Sequence, residues 1–143
     1  MKAIRWIVII FGVYVVLALA LDGMIAAFQP QSGSTGVLRT FDADGAAHDK
    51  VLSVLDDDGQ LWVESGHWFR GWYYRLRENP DVELVRDGKT LLYRAVPLAT
   101  PEAERHVKEL MKRRAGTGGY WAGRIMLLFA PIKPVRLDPR EAG

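Results

Sequence analysis

The residue types that are best suited to chemistry lie together between Ser65 and Leu84, in the stretch SGHWFRGWYYRLRENPDVEL. It holds two Trp, two Tyr, one Phe, one His and three Arg. Aromatic rings can stack on a planar ligand, and arginines can hold its anionic groups. Aromatic residues at helical spacing can instead plug a small core. From the residues alone, both interpretations of this stretch remain open.

Other catalytic chemistries have little support in the sequence. No serine lies in a nucleophile elbow, and His48, His67 and His106 lack the spacing of metal ligands. Cysteine is absent, which excludes disulfides, thiolate catalysis and iron–sulfur clusters. The formal charge of +2 comes without a dense Lys/Arg stripe. The sequence therefore predicts neither a metal site nor a nucleic-acid partner.

Short alternating segments separated by turns must position the aromatic stretch. Asn79-Pro80-Asp81 ends a short helix, and the Asp-Gly pairs at Asp58 and Asp87 are typical of hairpin turns. The predicted strands are Val37–Phe41, Lys50–Leu55, Leu61–Glu64, Val82–Arg86, Thr90–Pro97 and Arg124–Leu137. The pattern predicts an α+β protein, mainly β, with a small antiparallel barrel, two short helices and one preceding N-terminal transmembrane helix.

The second short helix is predicted from its start and stop signals. Thr100 is a good N-cap and Pro101 suits the first helical position. The cations Lys112–Arg114 precede the glycine-rich segment Gly116–Gly119, which predicts the end of the helix. Pro131 and Pro134 in the last predicted strand indicate a bend or a place at the sheet edge.

The N-terminal segment is apolar enough to cross a bilayer. Trp6–Leu21 carries no charge, and the apolar character continues to Phe28, so we expect lipid contact through residues 4–28. A cleaved signal peptide, with Ala18-Leu19-Ala20 at its cleavage site, is the alternative. We predict an anchor at residues 1–30, a linker at 31–36 and a folded domain at 37–143.

The charges around this segment predict its orientation. Lys2 and Arg5 precede the apolar segment, and the first cation after it is Arg39. The positive-inside rule places the N-terminus in the cytoplasm and the domain on the extracytoplasmic side. Because the sequence has one such apolar segment, we expect a protein that crosses the membrane once. We expect that membrane to be the bacterial inner membrane.

The aromatic stretch resembles the deazaflavin-dependent nitroreductase and quinone reductase family. The matching residues are Ser65, Gly66, Trp72, Tyr73, Leu76, Asn79, Pro80, Asp81 and Val82. The resemblance, over roughly residues 36–138, implies a split β-barrel of the flavin-binding pyridoxamine-phosphate-oxidase type. It also implies deazaflavin or FMN as cofactor, a quinone-like or nitro-type acceptor that is small and lipophilic, and a homodimer. It favours a cytoplasmic domain, because reduced deazaflavin is a cytoplasmic cofactor.

The first turn departs from the family pattern. The turn that begins at Asp42 and Asp44 is acidic where the family carries a basic Gly-Arg-Lys-Ser-Gly-type turn, and carboxylates repel a phosphate. A non-catalytic split barrel that has lost the cofactor turn is therefore the alternative function. A third interpretation is a heme-binding barrel with His67 as axial ligand.

The strand order suggests which residues bind a flavin-like cofactor. The catalytic residues stay unassigned, since the hydride chemistry belongs to the cofactor. Neighbours on a helix are about 100° apart, so we expect Trp72 and Tyr73 to lie on opposite sides of the short helix, one of them facing the pocket. Donors for the phosphate are expected from Lys50, Ser65, His67 and Arg70.

The separation between the apolar segment and the charged remainder predicts that deleting residues 1–30 releases a folded, soluble domain. Sedimentation of membranes from expressing cells checks this, with the full chain in the pellet and the shortened chain in the supernatant. Equal pelleting of the two forms would contradict the anchor.

Overall fold

The computed structural model describes residues 1–28, 35–65 and 71–141. Contacts divide the chain into two compact units, Met1–Pro30 and Gln31–Gly143. The first unit contains one helix, α1 (Lys2–Phe28). Its portion Lys2–Ala20 has a mean hydropathy of 2.4 and is not buried at all. Length and composition fit a membrane span and a signal sequence equally.

The second unit is a single antiparallel sheet with two helices. Its strands, in chain order, are β1 (Thr35–Phe41), β2 (Ala47–Ser53), β3 (Leu55–Asp57), β4 (Gln60–Ser65), β5 (Asp81–Arg86), β6 (Lys89–Pro97) and β7 (Lys133–Pro139). Helix α2 (Gly71–Glu78) follows β4, and α3 (Pro101–Met126) follows β6. The strands lie side by side in the order β2-β1-β5-β6-β7-β4-β3.

The sheet curls because its two outermost strands are consecutive in the chain. β2 ends at Ser53 and β3 begins at Leu55, so only Val54 joins one edge of the sheet to the other. One residue spans at most about 3.6 Å of extended chain. In a flat sheet of seven strands the two edges would be much farther apart than one residue can reach. The resulting half-barrel with its helices confirms the predicted α+β architecture.

The curled sheet has an inner and an outer face, each covered by a different helix. Alternate residues such as Leu38, Val63 and Leu84 point inward and form the main core together with α2. Trp62 and Leu55 point outward and pack against the apolar side of α3. The two helices therefore bury the two faces of one sheet.

The predicted turn chemistry is confirmed at both Asp-Gly pairs. Asp58 and Gly59 have φ of 50° and 91°, and Asp87 and Gly88 have φ of 52° and 74°. Consecutive positive φ values are typical of the type I′ turn that joins two-residue hairpins. At Asp58 the turn is reinforced by Gly59, whose backbone N–H donates to the Asp56 carboxylate over 2.8 Å.

The helix that begins after Thr100 ends where the sequence predicts, but a second helical segment follows it. Thr100 does cap α3, accepting the Ala103 backbone N–H over 3.2 Å. At Gly116, with φ of 71° and ψ of 164°, the backbone leaves the helical region, and the segment from there to Met126 is a further helical stretch that was not predicted. A single glycine kink interrupts the helix and the following residues resume it.

The last strand begins later than expected and is not at an edge. Leu128 and Phe129 have φ of 49° and 55°, which a β-strand cannot contain, so β7 starts only at Lys133. β7 lies between β6 and β4. Pro134 is its second residue, a position near the strand start where a missing N–H is tolerated. At the other end of the sheet, β1 includes Thr35 and Gly36, which had been assigned to the linker.

Gly36 marks the closest approach at the sheet corner. A Cβ atom built on it would lie 2.8 Å from Leu84 Cδ1 and 3.3 Å from both Val54 Cγ2 and the Val85 carbonyl oxygen. Even one methyl group therefore has no room without movement of neighbouring atoms. Only glycine fits where β1, β5 and the β2–β3 junction meet.

We expect Gly36→Ala to lower the free energy of unfolding by about 1–3 kcal/mol through overpacking. Gly118→Ala is the matched control, since a Cβ there meets nothing within 4 Å. Gly118 lies two residues beyond the break at Gly116, so the control should change the free energy of unfolding by about 1 kcal/mol or less. Urea unfolding of both variants measures the difference, and equal stabilities would contradict the tight corner.

Candidate functional site

Helix α2 closes one end of the barrel with aromatic side chains. Trp72 is 2% exposed, Tyr73 is 6% exposed, and both belong to the main core with Leu76. The rings of Trp72 and Tyr73 meet edge to face, with centroids 6.1 Å apart. The prediction that the two rings lie on opposite sides of the helix was wrong, because an apolar face about 100° wide accommodates both neighbours and Leu76.

One flank of α2 is attached to the end of β1. The Arg75 Nε–H donates to the Thr40 hydroxyl oxygen over 3.1 Å, and the Thr40 hydroxyl donates to the His48 carbonyl over 3.4 Å. Thr40 is fully buried, so this contact fixes where the guanidinium of Arg75 enters the barrel end. The arginine also lies against Gly71, where a Cβ would meet its Nη1 at 3.2 Å.

The other flank of α2 faces β7. The ammonium of Lys133 lies 5.1 Å from the ring centroid of Tyr73 and 5.5 Å from that of Tyr74. Lys133 pairs with Ser65 in the β4–β7 ladder, so both side chains lie on the same face of the sheet as Val63 and Val135. Tyr74 is 43% exposed. A lysine, a serine and an accessible aromatic ring therefore meet beside α2.

Lys50 belongs to the inner face as well. It lies opposite Leu38 in the β1–β2 ladder, and directly opposed residues of an antiparallel pair share a face. Leu38 is completely buried in the main core. β2 also contacts β4 where the sheet closes on itself. Lys50 and Ser65 therefore lie on the inner faces of two strands that meet across the closure.

These inner cations differ from those on the outer face. On the outer face Arg39 contacts Asp49 over 2.8 Å and Glu83 over 3.0 Å, and it lowers the pKa of Asp49 by hydrogen bonding. The described part of the chain contains no carboxylate within 4.0 Å of the basic groups of three residues, Lys50, Arg75 and Lys133. Positive charge is therefore available for an external anion beside α2, at Arg75 and Lys133, and on the inner face of β2, at Lys50.

In the acidic first turn, the Asp42 carboxylate is hydrogen-bonded to other residues of the same turn. Asp42 Oδ2 lies 3.0 Å from His48 Nε2, and Asp42 Oδ1 accepts the Ala46 backbone N–H over 3.0 Å. The hydrogen bond with His48 is the main cause that lowers the pKa of Asp42. Asp44 is exposed. The turn carries negative charge, but most of the acceptor capacity of Asp42 is already used within the turn.

The predicted site residues are distributed as follows. Lys50 and Ser65 lie on the inner face, Ser65 with only 1% exposure, whereas Trp72 and Tyr73 are core residues. His67 and Arg70 lie outside the described residues. Lys133 is a residue beside α2 that the sequence did not predict, because the predicted last strand begins before Lys133, at Arg124. Its alternation with Val135 and Leu137 was the signal that could have found it.

Solved structures provide the comparison with known proteins. The heme storage protein HutZ from Vibrio cholerae matches with a TM-score of 0.60 at 20% identity, over 78% of this chain and 85% of that chain. An F420-H2 dependent reductase matches with a TM-score of 0.58 at 18% identity, over 73% and 94%. A conserved hypothetical protein from Mycobacterium tuberculosis matches with a TM-score of 0.58 at 25% identity, over 84% and 81%.

This chain has the split β-barrel fold. The fold implied by the resemblance of the aromatic stretch is therefore confirmed. No protein-family model matches the sequence, and no curated protein does. The likeness is one of fold, and a fold by itself does not assign an activity.

The burial pattern of α2 predicts that three adjacent aromatic residues contribute very differently to the free energy of unfolding. Trp72→Ala and Tyr73→Ala should each lower the free energy of unfolding by about 3–5 kcal/mol, because each leaves a cavity in the core. Tyr74→Ala is the matched control and should cost about 1 kcal/mol or less, since its ring is partly solvated. Chemical denaturation measures all three. A Tyr73 variant as stable as the Tyr74 variant would show that Tyr73 is not a core residue.

The first turn predicts a change in one carboxyl titration. His48→Ala should raise the pKa of Asp42 towards its ordinary value, because the hydrogen bond that lowers it is lost. Because the pKa of Asp42 is lowered in the folded protein, its ionised carboxylate stabilises the fold at pH values above the ordinary aspartate pKa. This stabilisation is lost as the pH falls through the folded-state pKa of Asp42. NMR titration of the carboxyl carbons measures the change, with Asp49, held by Arg39, as the unaffected control. An unchanged Asp42 titration would argue against the contact.

Proposed function

We propose that this protein is a membrane-anchored oxidoreductase that binds a flavin or deazaflavin and reduces a small lipophilic acceptor of the quinone or nitro type. The observation that supports it most is a set of inner cations, with Arg75 and Lys133 beside α2 and Lys50 on the inner face of β2. The F420-H2 dependent reductase among the structural neighbours supports the cofactor class.

The residues beside α2 and on the inner face suit both parts of such a cofactor. A phosphate needs charge-assisted donors, for which we propose Lys50, Ser65, His67 and Arg70, with Lys133 added from the geometry. A planar ring system needs an accessible aromatic face, which Tyr74 offers better than the buried Trp72 and Tyr73. When bound, a flavin or deazaflavin supplies the hydride chemistry, and the protein binds and orients.

The proposed anchor fits the proposed substrate. Helix α1 is apolar enough to hold the chain in a bilayer, where lipophilic acceptors concentrate. We propose a single span through residues 4–28 in a bacterial inner membrane, followed by a domain whose first strand begins at Thr35. The cations Lys2 and Arg5 favour an extracytoplasmic domain, whereas a deazaflavin cofactor would favour a cytoplasmic one. We also propose a homodimer, since one solved neighbour is a domain-swapped dimer.

A second function is favoured by one specific observation. The first turn carries Asp42 and Asp44 where the resembled family is basic, and negative charge next to a phosphate weakens its binding. On this alternative the chain is a non-catalytic split-barrel binding protein. HutZ, named as a heme storage protein, has the same fold.

Cofactor titration of the full-length protein in nonionic detergent tests the proposal. FMN and F420 are added separately, and binding is followed by fluorescence. We expect one of them to bind, and Lys133→Gln or Lys50→Gln to weaken it by about 1.5–3 kcal/mol, the range for hydrogen bonds to charged groups. Lys89→Gln is the control, since Lys89 is exposed on the distant β5–β6 hairpin.

Two results would contradict the oxidoreductase. Failure of the parent protein to bind FMN and F420 would favour the non-catalytic barrel, and a Soret band after addition of heme would then assign it to heme binding. Equal cofactor affinities of the Lys133, Lys50 and Lys89 variants would show that the cofactor binds elsewhere on the chain.

A further inference from the structure

A cleft of about 330 Å³ lies at the opposite end of the barrel from α2. It is formed by the β2–β3 junction, the end of β5 and the middle of α3, and its lining residues are Val54, Leu55, Asp56, Arg86, Leu110, Arg113 and Arg114. Val54 lies next to Gly36 at the start of β1, whereas Arg75 of α2 contacts Thr40 near the end of β1. The cleft is therefore separate from the candidate cofactor site.

Positive charge exceeds negative charge among the lining residues. Three arginines face one aspartate, and Arg86 Nη1 is 4.0 Å from Asp56 Oδ2, the outer limit of an ion pair. Arg113 contacts Asp57 over 3.2 Å, but Asp57 is shared with His106, 3.0 Å away. Arg86 also pairs with Asp87 over 3.8 Å, so Arg86 and Arg113 each have a carboxylate partner and Arg114 has none among the described residues.

Arg114 has the least compensated charge of the three. It donates from Nη1 to the Val54 carbonyl over 3.3 Å, and no carboxylate of the described residues lies within 4.0 Å of it. Its pKa is lowered, first by burial and then by repulsion from Arg86. A bound anion would offset both effects, because it neutralises the charge and replaces lost solvation.

The floor of the cleft is apolar. Val54, Leu55 and Leu110 are each 5% exposed or less, and Leu55 and Leu110 belong to the cluster that packs α3 on the sheet. The cleft thus combines an apolar wall with arginine groups at its rim. That combination matches an amphiphilic anion, whose head group meets the guanidinium groups while its apolar part covers the floor.

We propose that the cleft formed by Arg86, Arg113 and Arg114 binds a phosphate head group attached to a short apolar chain. The guanidinium fork pairs with two phosphate oxygens, which gives the site its preference for phosphate. The apolar chain of the ligand is removed from water against Val54 and Leu110, which favours binding in proportion to the apolar area of the ligand that is buried. The ligand is either a soluble alkyl phosphate or the head-group region of an anionic phospholipid, which share this chemistry.

Calorimetric titration of the full-length protein in nonionic detergent tests the site. Inorganic phosphate and hexyl phosphate are the probes, and we expect saturable binding of hexyl phosphate, tighter than that of phosphate because of the apolar floor. Arg113→Gln with Arg114→Gln should weaken it by about tenfold or more. Arg105→Gln is the matched control, an exposed arginine on α3 that contacts Glu102 and does not line the cleft.

The single variant Arg114→Gln keeps the test decisive if the double variant does not fold, and thermal unfolding reports on folding. Binding equal to that of the parent in every folded arginine variant overturns the proposal, as does a parent that never saturates. Nanodiscs of phosphatidylcholine with and without phosphatidylglycerol separate the two sources. If hexyl phosphate no longer binds in nanodiscs that contain phosphatidylglycerol but still binds in those without it, the natural ligand is the phospholipid head group. If hexyl phosphate binds equally in both kinds of nanodisc, the natural ligand is the soluble alkyl phosphate.

Discussion

The architecture depends on the single residue that joins the two edges of the sheet. Because Val54 alone connects β2 to β3, the strands at opposite ends of the hydrogen-bonded order must stand side by side. The sheet curls so that this connection can be made, and the curled sheet encloses a core that a flat sheet of seven short strands would leave open. The alternation of side chains along each strand then decides which residues meet within the barrel. Both the candidate cofactor site and the arginine cleft are products of this closure, one at each end.

Charge is organised by face as well as by position. Outside the barrel, arginines are neutralised within the sheet, as Arg39 is by residues of two neighbouring strands and Arg136 by Asp138, which raises the pKa of Arg136. Such exposed pairs contribute little stability. At the end closed by α2, Lys133 rests on aromatic rings instead of a carboxylate. Arg39 and Arg136 are thus neutralised on the outer face, whereas Lys133 has no carboxylate within 4.0 Å among the described residues, and the proposed anion binding beside α2 rests on this difference.

Local sequence predicted those elements whose cause is local. The Asp-Gly hairpins follow from backbone preferences at Asp58 and Asp87, and the cap of α3 follows from the Thr100 hydroxyl. The helical segment between Gly116 and Met126 was not predictable in this way, because its glycines disfavour a helix locally and tertiary packing decides whether one forms. The role of Lys133 was hidden for a similar reason, since the face on which it lies depends on where β7 begins.

The position of β7 has a consequence for how the chain reaches its folded state. β7 is the last strand in the chain, yet it lies inside the sheet, between β6 and β4. Until it arrives, β4 and β6 each expose a row of unpaired backbone groups, which are templates for association with other chains. Pairing between segments so distant in sequence is slow to form. During synthesis the barrel therefore stays open until its final strand has emerged, and a chain clipped before Lys133 would be a substrate for chaperones and proteases rather than a smaller working domain.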